Sequence, residues 1–226
     1  VAQLERYLTY GVTAVMSLGA DRPLMYELRA QQREGNLSGA RVYTAGRGIT
    51  MKGSYGPSGV AREVETPEEV REQMKQIAAD QPDAVKIWVD DHFGEQSKIR
   101  PELYREFIKS AHEHGLKSFA HVYYLEDARA LVEAGIDVLA HSIRDQEVDD
   151  SFIRLAAERS VFLVPTLARE LSTFVYADPP GYLRDPFFTR HEDAEVIATL
   201  ASEDFVKTQR SDPHLTKYKE GLDVYK

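Results

Sequence analysis

The 226-residue chain contains no cysteine, which excludes disulfides and thiolate metal centres. Any transition-metal site must therefore be built from histidine, carboxylate or modified lysine. It has no apolar run long enough to span a bilayer. It also lacks a basic cluster, and 28 Lys and Arg against 37 Asp and Glu give a formal charge of −9. Nucleic acid and anionic membrane surfaces reward clustered cations, so neither is an expected partner. A small-molecule substrate, uncharged or cationic, fits this charge balance better. The compartment stays open, with the cytoplasm as default. The opening VAQLERYLTYG reads as an amphipathic helix rather than a signal peptide, and a first residue of Val leaves room for a targeting segment upstream.

What the chain does contain is a repeating beat of short apolar strand, polar loop and amphipathic helix. Hydrophobic residues make up 42% of the chain, enough to fill one sizeable core. Six strands are predicted: VTAVMSLG (12–19), ARVYTAG (40–46), AVKIWVD (84–90), LKSFAHVYY (116–124), DVLAHSI (137–143) and VFLVPTL (161–167). Between the second and third lies a Gly-rich segment, 46–59, read as a loop. A helix should open at Thr66, with Thr as N-cap, Pro67 at the first helical position and Glu68 and Glu69 in the first turn, and end near Asp80. Another opens at Pro101 and stops at Gly115. Beyond 167 the beat is lost, with a loop in YADPPGYLRDPFF and one or two helices in EDAEVIATLASEDFVKTQ.

Near-continuously apolar strands joined by helical crossovers predict an α/β fold with a parallel sheet covered by helices. Six strands do not close an eight-stranded barrel. The reading is an incomplete (β/α)8 TIM barrel, one partial domain over 1–226 comprising strands two to seven and their helices. A doubly wound open sheet is the rival, but SLGADRP lacks the G-x-G-x-x-G of a phosphate-binding first turn.

Lys86, His121 and His141 each interrupt an apolar run on successive strands, and parallel barrels do their chemistry at one mouth. Strand alternation places Lys86 with Trp88 and Asp90, Phe119 with His121 and Tyr123, and Leu139 with His141 and Ile143. An ammonium only donates and cannot bind a cation. Burial lowers the pKa of an amine, and a neutral amine combines with CO2 to give a carbamate, a carboxylate able to bridge metals. Structural readings compete: a strand-end His is often a hydrogen-bonded core residue, and a strand Lys often snorkels.

The order GVTAVMSLG, ARVYTAGRGIT, AVKIW, FAHVYYLEDARALVEAGIDVLAH, VFLVPTL resembles the metal-dependent amidohydrolase superfamily, in its imidazolonepropionase and Xaa-Pro dipeptidase-like branch, from about Val12 to Leu167. The resemblance implies a (β/α)8 barrel with a small β-domain built from both chain ends. It implies Lys86 as a carboxylated bridging ligand, and His121 and His141 as metal ligands after the fifth and sixth barrel strands. Tyr123, in an H-x-Y pattern, resembles a residue that contacts a substrate carbonyl or carboxylate. Arg144 and Trp88 are candidates for the pocket wall, with a solvated Arg and a core Trp as the alternatives. One or two divalent metals are implied, zinc being the default for such ligands.

Departures from the pattern bear on function. The first-strand H-x-H pair is absent; His112 and His114 share that spacing but sit at a helix end in AHEHG, where they read as solvent-facing or capping. The general-base Asp of the eighth strand is also absent, so it is expected outside this chain. The implied reaction is hydrolysis of a C–N bond in an amide, cyclic amide or dipeptide by metal-activated water, with lactones and phosphoesters open. The chain alone is expected to be weakly active or inactive, completed by the missing barrel segments or a homo-oligomer. Its apolar edge strands should invite association. Two other classes compete: an aldolase-like barrel with Lys86 as Schiff-base nucleophile, and a non-catalytic relic with Lys86 paired to Asp90 or another carboxylate.

Overall fold

The run Val85–Val89 is buried at every position, because β-branched and aromatic residues alternate about one lysine and leave nothing to face water. In the computed structural model, which describes residues 1–172 and 174–224, this run is a central strand. The strands are β1 (Ala14–Ser17), β2 (Arg41–Thr44), β3 (Ile49–Met51), β4 (Arg62–Val64), β5 (Val85–Val89), β6 (Ser118–Val122), β7 (Val138–Ala140) and β8 (Phe162–Val164). One sheet runs β4-β3-β5-β6-β7-β8 and a second pairs β1 with β2. Every ladder is parallel, as the helical crossovers require.

All six expected strands are present, each shorter than its apolar run. The Gly-rich segment is not wholly a loop: it contains β3, and β4 follows it. Ile49-Thr50-Met51 is a short strand-forming triplet among glycines, and Ile49 pairs with Ile87. Asp83 N donates to Thr44 O at 2.8 Å, so β2 and β3 flank the same edge of the β5 segment, interrupted at residues 45–48. The architecture is thus an incomplete α/β barrel.

The chain forms two compact units. The first holds every strand and comprises Val1–Ile143 and Val148–Pro165; the second comprises Arg144–Glu147 and Thr166–Lys226. The first contains α1 (Ala2–Thr9), α2 (Pro23–Arg33), α3 (Pro67–Ala79), α4 (Pro101–Glu113), α5 (Leu125–Glu133) and α6 (Asp150–Glu158). The second contains α7 (Leu167–Ser172), α8 (Pro186–His191), α9 (Ala194–Ala201), α10 (Glu203–Arg210) and α11 (Leu215–Val224). The expected loop at YADPPGYLRDPFF carries 3-10 turns at 175–177 and 181–184 and the start of α8, where Asp185 caps Phe187 N. Among the described residues, no helix is long and apolar enough to cross a membrane.

Helix starts follow local chemistry. The Thr66 side chain accepts from Glu69 N at 3.2 Å, and Glu69 reaches back to Glu65 N at 2.6 Å, a capping arrangement of about 1 kcal/mol. Val85, Ile87, Val89, Ala120, Val122 and Leu139 present one sheet face to Val70, Met74 and Ile77 of α3 and Leu103 and Phe107 of α4. The opposite face therefore carries Lys86, Trp88, Phe119, His121, Val138 and Ala140, matched across strands by the pairs Lys86–Phe119, Trp88–His121 and His121–Ala140. At the outer edge of the sheet, β8 leaves Phe162 72% and Leu163 52% exposed, the apolar edge expected from VFLVPTL.

Asp137 ties the strands together at their starting ends. Its carboxylate accepts from Lys117 Nζ at 2.6 Å, Ser118 N at 2.9 Å and Ser118 Oγ at 2.8 Å, and lies 2.9 Å from His112 Nε2. His112 is therefore a half-exposed ion-pair partner, and His114 is the C-cap residue of α4. Burial alone would raise the Asp137 pKa, but these donors outweigh it and hold it at about 2. A depressed carboxylate stabilises the fold above its unfolded pKa and loses that contribution as pH falls through the folded one. Asp137→Asn should cost roughly 2 kcal/mol at pH 7, and the gap to wild type should close between pH 4 and 2, as read by urea melts across pH.

Candidate active site

The inward face of β5 and β6 collects the chain's unusual polar groups. Lys86 is 2% exposed. Among the described residues its Nζ has no hydrogen-bond partner; its one ring contact there is Trp88, with the centroid 5.9 Å away. Burial lowers its pKa to about 7. The backbone makes room for this pair at two glycines. A Cβ on Gly19 (φ +98°) would lie 2.7 Å from both Lys86 Cγ and Trp88 Cη2, and one on Gly48 would lie 2.6 Å from Trp88 Cζ3. Neither position tolerates a side chain. Trp88 is 7% exposed on this interior face.

His121 lies beside Trp88 in register, and its Nε2 is 2.8 Å from Asp90 Oδ2. Asp90 is thus paired with His121, not Lys86, which removes the ion-paired lysine expected of a relic. Burial alone would raise the Asp90 pKa, but His121 and the backbone N–H groups of His92 and Asp91 overcome this and lower it. The Asp90 carboxylate at Nε2 holds the orientation of the His121 ring.

His141 departs from strand alternation. Leu139 belongs to the helix-facing core, so strict alternation would turn His141 outward with it. Instead His141 follows the end of β7 with φ +81°, and its ring lies 4.6 Å from that of His121, centroid to centroid. The backbone reversal brings the imidazole inward, while His141 N still donates to Val164 O at 2.8 Å. A positive φ at a non-glycine residue is costly and persists where its surroundings fix it.

Tyr123 follows β6 and packs edge-on against Phe93, centroids 5.2 Å apart, and against Tyr124 at 4.9 Å. Arg144 belongs to the second unit. It is 6% exposed and donates through Nη1 to Glu170 Oε1 at 2.9 Å, so the solvated alternative does not hold. Three residues not singled out from the sequence join the site. Tyr55 lies 5.1 Å from the His121 ring and stacks on His92 at 5.6 Å, and His92 in turn lies 5.6 Å from Phe93. The only sequence signal was DDHFG (90–94), two aromatic rings in a polar turn.

Among the described residues, no three His, Cys, Asp or Glu side chains group to hold a metal. A buried amine of lowered pKa, without a hydrogen-bond partner among those residues and on the sheet face that bears His121, has the chemistry of a group that could become a metal-binding carbamate. A separate cleft of about 580 Å³, lined by Asp21, Arg22, Tyr26, Arg47, Arg62 and Asp80 among others, includes none of these residues.

Between about pH 7 and 10.5 the unfolded chain binds a proton at Lys86 that the folded chain sheds, so stability should rise with pH across that window. Lys86→Met removes this slope and should stabilise the metal-free protein by roughly 2–4 kcal/mol at pH 6.5, as read by thermal and denaturant melts.

No protein-family model matches the chain. An uncharacterized protein of Mycobacterium tuberculosis, Rv2915c, and its Mycobacterium bovis counterpart Mb2939c are 28% identical over 155 residues, 67% of this chain and 40% of theirs. Among solved structures, a Xaa-Pro dipeptidase with methionine bound in its active site superposes with a TM-score of 0.63 at 23% identity, covering 96% of this chain and 55% of that one. Aspergillus niger ochratoxinase (TM-score 0.64, 17% identity) covers 98% and 53%, and phenylurea hydrolase B (0.62, 19%) covers 95% and 52%. The chain spans less than half the length of the curated relatives it matches and about half that of the solved chains. Its fold is that of the amidohydrolases and Xaa-Pro dipeptidases, over a part of their barrel.

Proposed function

We propose that this chain is the metal- and substrate-binding part of a hydrolase that cleaves C–N bonds in amides, cyclic amides or dipeptides. The observation that carries the reading is the Lys86 Nζ, buried without a hydrogen-bond partner among the described residues on the face that bears His121. An amine left in that state costs several kcal/mol, a cost removed when it becomes a carbamate anion beside a cation. Lys86, His121 and His141 would hold a divalent metal, zinc by default. Such a metal supplies an activated water and polarises the scissile carbonyl.

This chain's own groups do the positioning. Asp90 fixes the His121 ring through Nε2 and raises its basicity as a ligand. Trp88 and the glycine pair Gly19 and Gly48 wall off the lysine from water. Tyr123 would meet the substrate near the carbonyl. The general base is the Asp expected outside this chain, so the chain alone is of little or no activity.

The same depressed amine also suits Schiff-base chemistry, since a neutral lysine attacks carbonyls. Borohydride trapping of a carbonyl substrate on Lys86 would favour that second reading.

The purified protein, loaded with zinc in bicarbonate buffer, should bind about one metal per chain by elemental analysis and show a carbamate carbon signal after 13C-bicarbonate labelling. His121→Ala and His141→Ala should each weaken metal binding at least about tenfold, and Lys86→Met should abolish the carbamate signal. Stoichiometric metal that persists in both histidine variants, or no labelled carbamate, would refute the assignment.

A further inference from the structure

The rings above His121 form a continuous series from three separate segments. Tyr55 from the loop after β3 contacts His121 and stacks on His92 with an interplanar angle of 13°. His92 meets Phe93, and Phe93 meets Tyr123 edge-on at 78°. Tyr55, His92, Phe93 and Tyr123 are all half-buried, and the His92 side chain is 33% exposed.

The loop that presents two of these rings is built at a cost. His92, Phe93 and Gly94 take φ values of 50°, 62° and 82°, three successive left-handed residues of which only the last is glycine. Asp90 Oδ1 accepts from the backbone N–H of Asp91 and His92, and Asp91 Oδ1 accepts from Gly94 N and from Tyr124 Oη. A bridge between Ser54 and Ser97, and Thr50 Oγ1 donating to Tyr55 O at 2.7 Å, pin the facing loop. Glycine would occupy positions 92 and 93 without strain, yet both carry large rings aimed at neighbouring rings.

The charged groups around the rings have partners. Glu95 holds His92 Nδ1 at 2.9 Å, Asp90 holds His121, and Lys98 lies over the Tyr124 ring while bonding Asp127. What the series offers a ligand is aromatic face and edge rather than net charge.

We infer that Tyr55, His92, Phe93 and Tyr123 form a subsite for a flat, uncharged aromatic group of the substrate, seated next to His121. The inference deepens the hydrolase reading and rests on it for which bond lies beside that group. A ring entering the series gains stacked and edge contacts that an aliphatic group of equal size cannot make. The preferred substrate is then an amide with a phenyl-type group adjoining the scissile bond.

Binding of N-acetyl-phenylalanine amide and N-acetyl-alanine amide to the full chain, measured by calorimetry without turnover, tests this. The phenylalanine probe should bind about tenfold more tightly. Phe93→Gly should erase that preference while keeping a cooperative thermal melt, since glycine takes the left-handed angles freely, so the loss is read on a folded variant. Tyr55→Leu should cut the preference at least about threefold. Equal affinity for the two probes, no binding of either, or a preference intact in Phe93→Gly would overturn the inference. Aromatic preference without metal or carbamate would keep the subsite and sink the hydrolase reading; metal and carbamate without the preference would do the reverse.

Discussion

A buried amine with no hydrogen-bond acceptor among the described residues is the constraint around which the interior of this barrel is arranged. Elsewhere the protein compensates its buried charges. Arg29 pairs with Asp83 at 2.7 Å, Arg144 with Glu170 at 2.9 Å, and Asp90 with His121 at 2.8 Å; Asp21 accepts from Ser17 and Thr44. Lys86 is the exception among the described lysines and arginines in having both almost no exposure and no acceptor for its terminal nitrogen. Its stem needs Gly19 to leave space, and the ring of its neighbour Trp88 needs both Gly19 and Gly48. An apolar residue would pack there at lower cost.

Around that centre the protein spends further conformational energy. The reversed backbone at His141 and the left-handed turn at His92 and Phe93 both lie at the strand ends that surround the lysine face, and both aim rings inward. Asp90 links the two levels, because one carboxylate oxygen orients His121 while the other holds the turn. Loss of that carboxylate would disturb both the His121 ring and the loop above it. Asp91 and Tyr124 brace the same turn from the next strand, and the phenol pKa is pushed up by burial and by its bond to the carboxylate.

Much of the fold was legible because it is set locally. Thr66-Pro67 with Glu68 and Glu69 could only open a helix, and Gly115 with φ +69° could only close one. The six apolar runs all form strands, buried throughout in β5 and β7 and exposed in the edge strand β8. The ITM strand was missed because three residues among glycines carry no periodicity, and only pairing with Ile87 makes them a strand. The ring series from Tyr55 to Tyr123 carries no sequence signal for a related reason: Tyr55 and His92 are 37 positions apart and their rings meet only when two loops come together.

By itself, then, the sequence determined the parallel α/β order, the absence of thiolate chemistry and the placement of Lys86, Trp88 and His121 on one face, since strand alternation follows from backbone geometry alone. Only the tertiary structure decided the direction of His141, which depends on a single backbone angle beyond the strand, and the partner of Asp90, which depends on which donor lies across the ladder. It also decided that Lys86 is left without an acceptor among the described residues. A one-dimensional pattern shows that a charge is buried; whether something answers it is a matter of three-dimensional neighbours.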